Sequence, residues 1–143
     1  MKNKWMFVLL LLMACQPGNP SNEGATGTSG NYTPLATITQ WQNNQVSNQS
    51  ICQQGVIIKL LQDDNKGSRH QRFIIKLENN KTLLIAHNID ISTRITDLEN
   101  GEKIEFKGEY EWNAKGGVVH WTHHDPAGKH AGGYLLYKGK KYQ

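Results

Sequence analysis

From Lys103 to Trp112 the chain alternates with a period of two, and this alternation constrains the fold more than any other stretch. Ile104, Phe106, Tyr110 and Trp112 fall on one side, and Lys103, Glu105, Lys107, Glu109 and Glu111 fall on the other. Successive side chains of a strand point to opposite faces. The pattern therefore requires a β-sheet with one covered face and one solvated face, and it does not fit an amphipathic helix.

Other segments carry weaker versions of the same period. Val56, Ile58 and Leu60 alternate with Ile57, Lys59 and Leu61, as in a strand buried on much of both faces. Asp63 to Ser68 form a turn, with Asp63 and Asp64 as turn formers rather than metal ligands. A second strand runs from Arg69 to Leu77, with Gln71, Phe73, Ile75 and Leu77 on one face and His70, Arg72, Ile74 and Lys76 on the other. Glu78 to Lys81 turn the chain into a third strand, Thr82 to His87. Asn113 to Gly117 make a hairpin turn into a fifth strand, Val118 to His123. Short segments at Tyr134–Tyr137 and Lys140–Tyr142 flank a turn at Gly139.

Two helices are predicted. Leu35, Ile38, Trp41 and Val46 suggest one from Pro34 to Ser47, with proline in its first turn. Ile91, Ile95 and Leu98 stand at i, i+4 and i+7, with Asp90 as cap and Gly101 as stop, and suggest a second between strands three and four. Three strands, a short helix and two more strands is the order of an OB-fold. The predicted fold is thus mainly β, an OB-fold-like five-stranded small barrel with a short N-terminal helix and a short helix between strands three and four. Gly55 and Gly108 are suited to its sharp bends. Another small barrel, or an open α+β sheet, is the alternative.

The N-terminal part does not belong to this domain. Lys2 and Lys4 precede an apolar run from Trp5 to Met13 that is too short to span a bilayer, which takes about 20 residues. It ends in Leu12, Met13, Ala14, Cys15, which resembles the bacterial lipoprotein signal, in which the cysteine thiol receives the lipid and becomes the first mature residue. Residues 1–14 are read as a signal peptide and Cys15 as the lipidation site. Gln16 in the next position implies sorting to the outer membrane rather than retention at the inner one, and a multiply acylated cysteine is a firm anchor. From residue 15 to residue 33 the chain is Gly, Asn, Ser, Thr and Pro with almost no apolar side chain, a flexible tether. Residues 34–143 form a single domain. Removing Lys2 and Lys4 leaves 14 basic against 12 acidic side chains, a net charge of +2. That balance alone does not call for nucleic acid. If Cys15 carries lipid, Cys52 has no partner in the chain and reads as a buried small hydrophobe.

Function is expected where the imidazoles crowd. Four of the six histidines lie between His120 and His130. On a continuing fifth strand His120, Thr122 and His124 share one face, and Trp121 and His123 the other. Pro126 ends the strand, and Gly128, Gly132 and Gly133 let a loop bring His130 back. His120, His124, Asp125 and His130 are therefore the candidate ligands of a divalent metal such as zinc, although their spacing matches no standard zinc motif. His120, Thr122 and His124 are the catalytic candidates. His120-Trp121-Thr122 resembles half of the paired His-x-Thr signature of two-histidine phosphoesterases, but the chain has no second copy. A polar corner in which the histidines only hold the loop down is the structural alternative.

Outside that segment, His70 and Arg72 lie on the less apolar face of strand two, and His87 and Asn88 end strand three. In an OB barrel this face is the usual ligand platform. His70, Arg72, His87, Asn88, Trp121 and His123 are the candidate ligand contacts, with Arg69 and Lys76 as further cations for phosphate or carboxylate oxygens. Trp112, Trp121, Tyr134 and Tyr137 are aromatic residues of the same region, able to stack bases or sugars, although Trp112 keeps step with core positions. Lys129, Lys138, Lys140 and Lys141 follow Asp125 with no intervening acid.

One set of motifs resembles a known family. Asp63-Asp64 through His70-Gln71-Arg72-Phe73, Ala86-His87-Asn88-Ile89-Asp90, Gly108 to Trp112, His120 to Pro126 and the closing Tyr142-Gln143 are similar to a family of small secreted bacterial proteins described only as a domain of unknown function. The resemblance covers Gly55 to Gln143. It implies a shared structure and a shared site, and it supplies no activity. The expectation from the residues is a lipid-anchored envelope domain, on the periplasmic face of the outer membrane, that binds nucleic acid or an anionic glycan. The alternatives are a metal-dependent phosphodiesterase or nuclease-type hydrolase built on His120 to His130, and a structural interaction module.

Overall fold

The computed structural model describes residues 31–143. The expected signal peptide, the lipid-accepting Cys15 and the tether as far as residue 30 lie outside the described residues. A helix α1 (Leu35–Asn44) precedes seven strands: β1 (Gln49–Leu60), β2 (His70–Lys76), β3 (Thr82–Asn88), β4 (Lys103–Glu111), β5 (Val118–His120), β6 (Tyr134–Tyr137) and β7 (Lys140–Tyr142).

The first five strands close into a barrel. β1 pairs with β2, β2 with β3 and β5 with β4, all antiparallel, while β3 and β5 run parallel. The ring is completed by β4 against β1, in register from Gln49 opposite Tyr110 to Val56 opposite Lys103. This is the closed five-strand mixed barrel that the alternation predicts. Its interior holds Ile51, Ile57, Phe73, Ile75, Leu83, Ile85, Ile104, Phe106, Tyr110 and Val119, all buried. Each such side chain contributes about 1.5–3 kcal/mol relative to leaving it in water.

α1 closes one end. Pro34 supplies the fixed backbone angle that starts it, and Gln45 ends it in the left-handed region (φ 57°). Ile38 is fully buried, Leu35 and Trp41 pack on the same core, and Trp41 stacks on Tyr110 at 5.6 Å. The Trp112 indole N–H donates to the Gln42 carbonyl (3.0 Å), so this tryptophan packs rather than facing a ligand.

Two expectations about secondary structure need correction. Among the described residues α1 is the one α-helix, and the segment from Ile91 to Leu98 is not helical. Its backbone is held from outside. The Gln71 side-chain amide donates to the Ile95 carbonyl (2.7 Å) and accepts the Ile95 N–H (2.9 Å). Ile95 is thereby pulled into the core, while Ile91 stays exposed. Asp90 caps no helix, because its carboxylate accepts the backbone N–H (2.8 Å) and Nε–H (2.7 Å) of Arg69. The second correction is that β5 ends at His120 rather than His123. Trp121 adopts φ 57°, a conformation that L side chains disfavour, and turns the chain off the sheet.

Cys52 is buried, with its sulfur 3.9 Å from the Tyr134 hydroxyl. That burial agrees with the small hydrophobe read from the sequence.

Candidate functional site

The outer face of β2 and β3 carries a cleft of about 320 Å³. Its floor is Leu61, Ile74 and Leu84, and Lys59, Arg72 and Lys115 line it as cations. The β4–β5 turn, through Asn113 and Gly117, forms one wall. Arg72 is pre-set, since its Nε–H and an Nη2–H donate to the Gln62 carbonyl (3.1 and 3.0 Å). Sequence reasoning found Arg72 but missed Lys59 and Lys115. The signal was available: Lys59 breaks the apolar run of β1, and Lys115 sits in the hairpin turn that borders an OB platform.

Along the same face, four residues before Ile74 on β2, His70 meets His120. The two rings lie edge to face with centroids 6.5 Å apart. His70 Nδ1–H donates to the Ser68 carbonyl (2.8 Å). A carbonyl can only accept, so the proton is assigned to Nδ1 and the Nε2 lone pair is left open. His120 Nε2 lies 3.8 Å from a Glu111 carboxylate oxygen. Burial lowers the His120 pKa; Glu111 opposes that shift, His70 adds to it, and Glu109 opposes it more weakly.

His87 and His123 turn inward. His87 is fully buried, donates from Nε2 to the Thr93 carbonyl (3.2 Å) and accepts at Nδ1 from the Thr122 hydroxyl (2.8 Å). Burial drives its pKa down to about 4, the Thr93 hydrogen bond opposing and His123 adding to the shift, so the ring is neutral at pH 7. Thr122 is fully buried, and His123, nearly so, donates from Nδ1 to the His124 carbonyl (2.6 Å). Asn88 accepts the Asp90 N–H (2.9 Å), a local turn bond. The expected common face of His120, Thr122 and His124 does not form, because the strand ends before Thr122.

The stretch from Trp121 to Gly133 is an excursion within one strand line. On the same edge of β4, Glu109 pairs with His120 and Lys107 with Tyr134, so the whole loop stands opposite Gly108. Its neck closes through Gly133 N–H to the His123 carbonyl (2.9 Å). Trp121 stacks on His130 at 4.0 Å. Asp125 holds the loop by accepting N–H bonds from Ala127 (2.9 Å), Lys129 (2.6 Å) and His130 (2.8 Å), and these donors keep its pKa low.

The four candidate metal ligands are thus placed apart in role: Asp125 caps the loop, His130 stacks, His124 is exposed, and His120 faces His70. Among the described residues no three His, Cys, Asp or Glu side chains are grouped to hold a metal ion. The structure does join histidines from distant strands, but the joined pair is His70 with His120.

No functionally curated protein matches this chain. Residues 25–143 match the model of a family described as a protein of unknown function (DUF3465), and the chain belongs to that family.

Proposed function

We propose that this domain binds single-stranded nucleic acid along the outer face of β2 and β3, in the cell envelope. One observation carries the reading: three cations from three separate places in the chain, Lys59, Arg72 and Lys115, line one cleft over an apolar floor. Cations can neutralise backbone phosphates while apolar side chains accept the faces of unstacked bases. His70, on the same side of β2 as Arg72 and Ile74, continues that face to His120.

Fluorescence anisotropy with a single-stranded 12-mer at about 50 and 200 mM salt tests this. Lys59→Glu and Lys115→Glu are each expected to weaken binding at least about tenfold. Each should also flatten the plot of log affinity against log salt by roughly one unit of slope, since one fewer phosphate is neutralised. No binding at low salt, or binding that ignores both substitutions, overturns it. Binding of an acidic glycan in place of the oligonucleotide would keep the cleft and replace the ligand.

Anchoring through a lipid on Cys15 is part of the same proposal, supported by the Lys2 and Lys4 start and the apolar run before the cysteine. Among the described residues no helix is long and apolar enough to cross a membrane. Intact-mass measurement of the membrane fraction is expected to show a diacylglyceryl-modified Cys15 as the first residue. An unmodified mature chain would refute the anchor and leave the cleft untouched.

A further inference from the structure

We propose that His70 and His120 form a metal-free acid–base pair that cleaves RNA at the phosphodiester, a reading that rests on the nucleic-acid cleft above. The two imidazoles come from β2 and β5 and meet across β3, so the barrel itself sets their spacing. They are held edge to face at 6.5 Å rather than stacked, with no hydrogen bond joining them. Both are partly open to solvent, unlike the buried His87 and His123. The Ser68 carbonyl fixes the His70 tautomer and leaves Nε2 to exchange a proton. Glu111, with Glu109 beyond it, stabilises the cation that forms on His120 when it accepts one. His70 also lies in the field of Asp90 and of His87. These are the charged and titratable groups that face the pair.

The step balances without an external reactant. His120 takes the proton of the ribose 2′-hydroxyl, and O2′ attacks phosphorus. The bond from phosphorus to O5′ breaks, and His70, starting as the cation with a proton on each ring nitrogen, passes its Nε2 proton to O5′ and is left neutral with Nδ1–H on the Ser68 carbonyl. The products are a 2′,3′-cyclic phosphate and a 5′-hydroxyl end, and solvent returns the two rings to their starting protonation states. Positioned acid–base groups contribute about 10²–10⁴-fold to such a step.

The test incubates the mature chain with a single-stranded RNA 12-mer in EDTA, beside DNA of the same sequence. RNA is expected to be cut to cyclic-phosphate ends and DNA to be bound intact. His70→Gln and His120→Gln, each checked for an unchanged unfolding curve, are expected to lose at least about 100-fold in rate. Lys140→Ala, at the exposed start of β7, which lies beyond β6 in the sheet order, should cleave as the parent does and controls for contaminating nuclease. The rate should follow a bell-shaped pH profile that loses one limb in each histidine variant. RNA bound but left intact overturns this inference and spares the binding reading, as does cleavage that needs added metal. Cleavage that survives both Lys59→Glu and Lys115→Glu supports the pair and removes the cleft from the argument.

Discussion

Gly133→Ala is expected to destabilise the domain by about 3 kcal/mol, a fall in Tm of about 10–20 °C. A Cβ at Gly133 would run into the Trp121 and Lys107 carbonyl oxygens. Both obstacles are backbone atoms, one at the loop neck and one inside β4, so neither can swing aside as a side chain would. Relief would require the neck to open, with loss of the Gly133 to His123 hydrogen bond and displacement of the Thr122 hydroxyl from His87. The neighbouring residue is the control. A Cβ at Gly132 would approach only the His124 Cα, at 4.0 Å, and Gly132→Ala is expected to change stability by less than about 0.5 kcal/mol. Thermal unfolding of both variants checks the pair, and equal effects would refute the account of the neck. Gly108, on the other side of the gap, meets the same constraint, since a Cβ there would strike the His120 carbonyl oxygen.

These glycines show where the sequence is readable and where it is not. Period-two alternation in β2 and β4 reports one buried face, and that information is local, so the strands and their order were legible. The hairpin turn at Asn113–Gly117 was legible for the same reason. The segment from Ile91 to Leu98 misleads because helical spacing of Ile91, Ile95 and Leu98 is a local signal overruled by a distant one. Gln71 replaces the helical hydrogen bonds of Ile95 from across the barrel end. Nothing near Ile95 announces that partner. The reading of His120, Thr122 and His124 as one strand face fails at Trp121, whose positive φ is atypical of tryptophan and cannot be read from its type. The candidate site was half legible. His70 and His120 both stood out, but their meeting depends on the parallel pairing of β3 and β5, which no short window encodes. Lys59 and Lys115 become partners of Arg72 only once the barrel closes.

His87 is expected to make the domain acid-sensitive in a defined window. Its ring is fully buried and neutral, with the Thr122 hydroxyl donating to Nδ1 and the Nε2 proton given to the Thr93 carbonyl. Protonation of Nδ1 would remove the acceptor and place an unpaired charge in the barrel end. Its native pKa therefore falls to about 4 from an ordinary value of 6.5. The sign follows from which state takes up the proton. Between these two values the unfolded chain is protonated at this residue and the native state is not, so acid favours unfolding. The contribution is fully present above pH 6.5 and is lost as the pH falls toward 4. It amounts to about 2 kcal/mol lost by pH 5 and about 3 kcal/mol by pH 4. Asp90, Asp125 and His120 also have lowered pKa values and add acid sensitivity of their own, so the measurement must be a difference. Urea unfolding of the parent and of His87→Gln at pH 7.5, 6 and 5 isolates the residue, because the other groups are common to both proteins. The stability gap between the two is expected to shift in favour of the variant by about 2 kcal/mol from pH 7.5 to pH 5. Curves that stay parallel would mean that His87 titrates as it does in water.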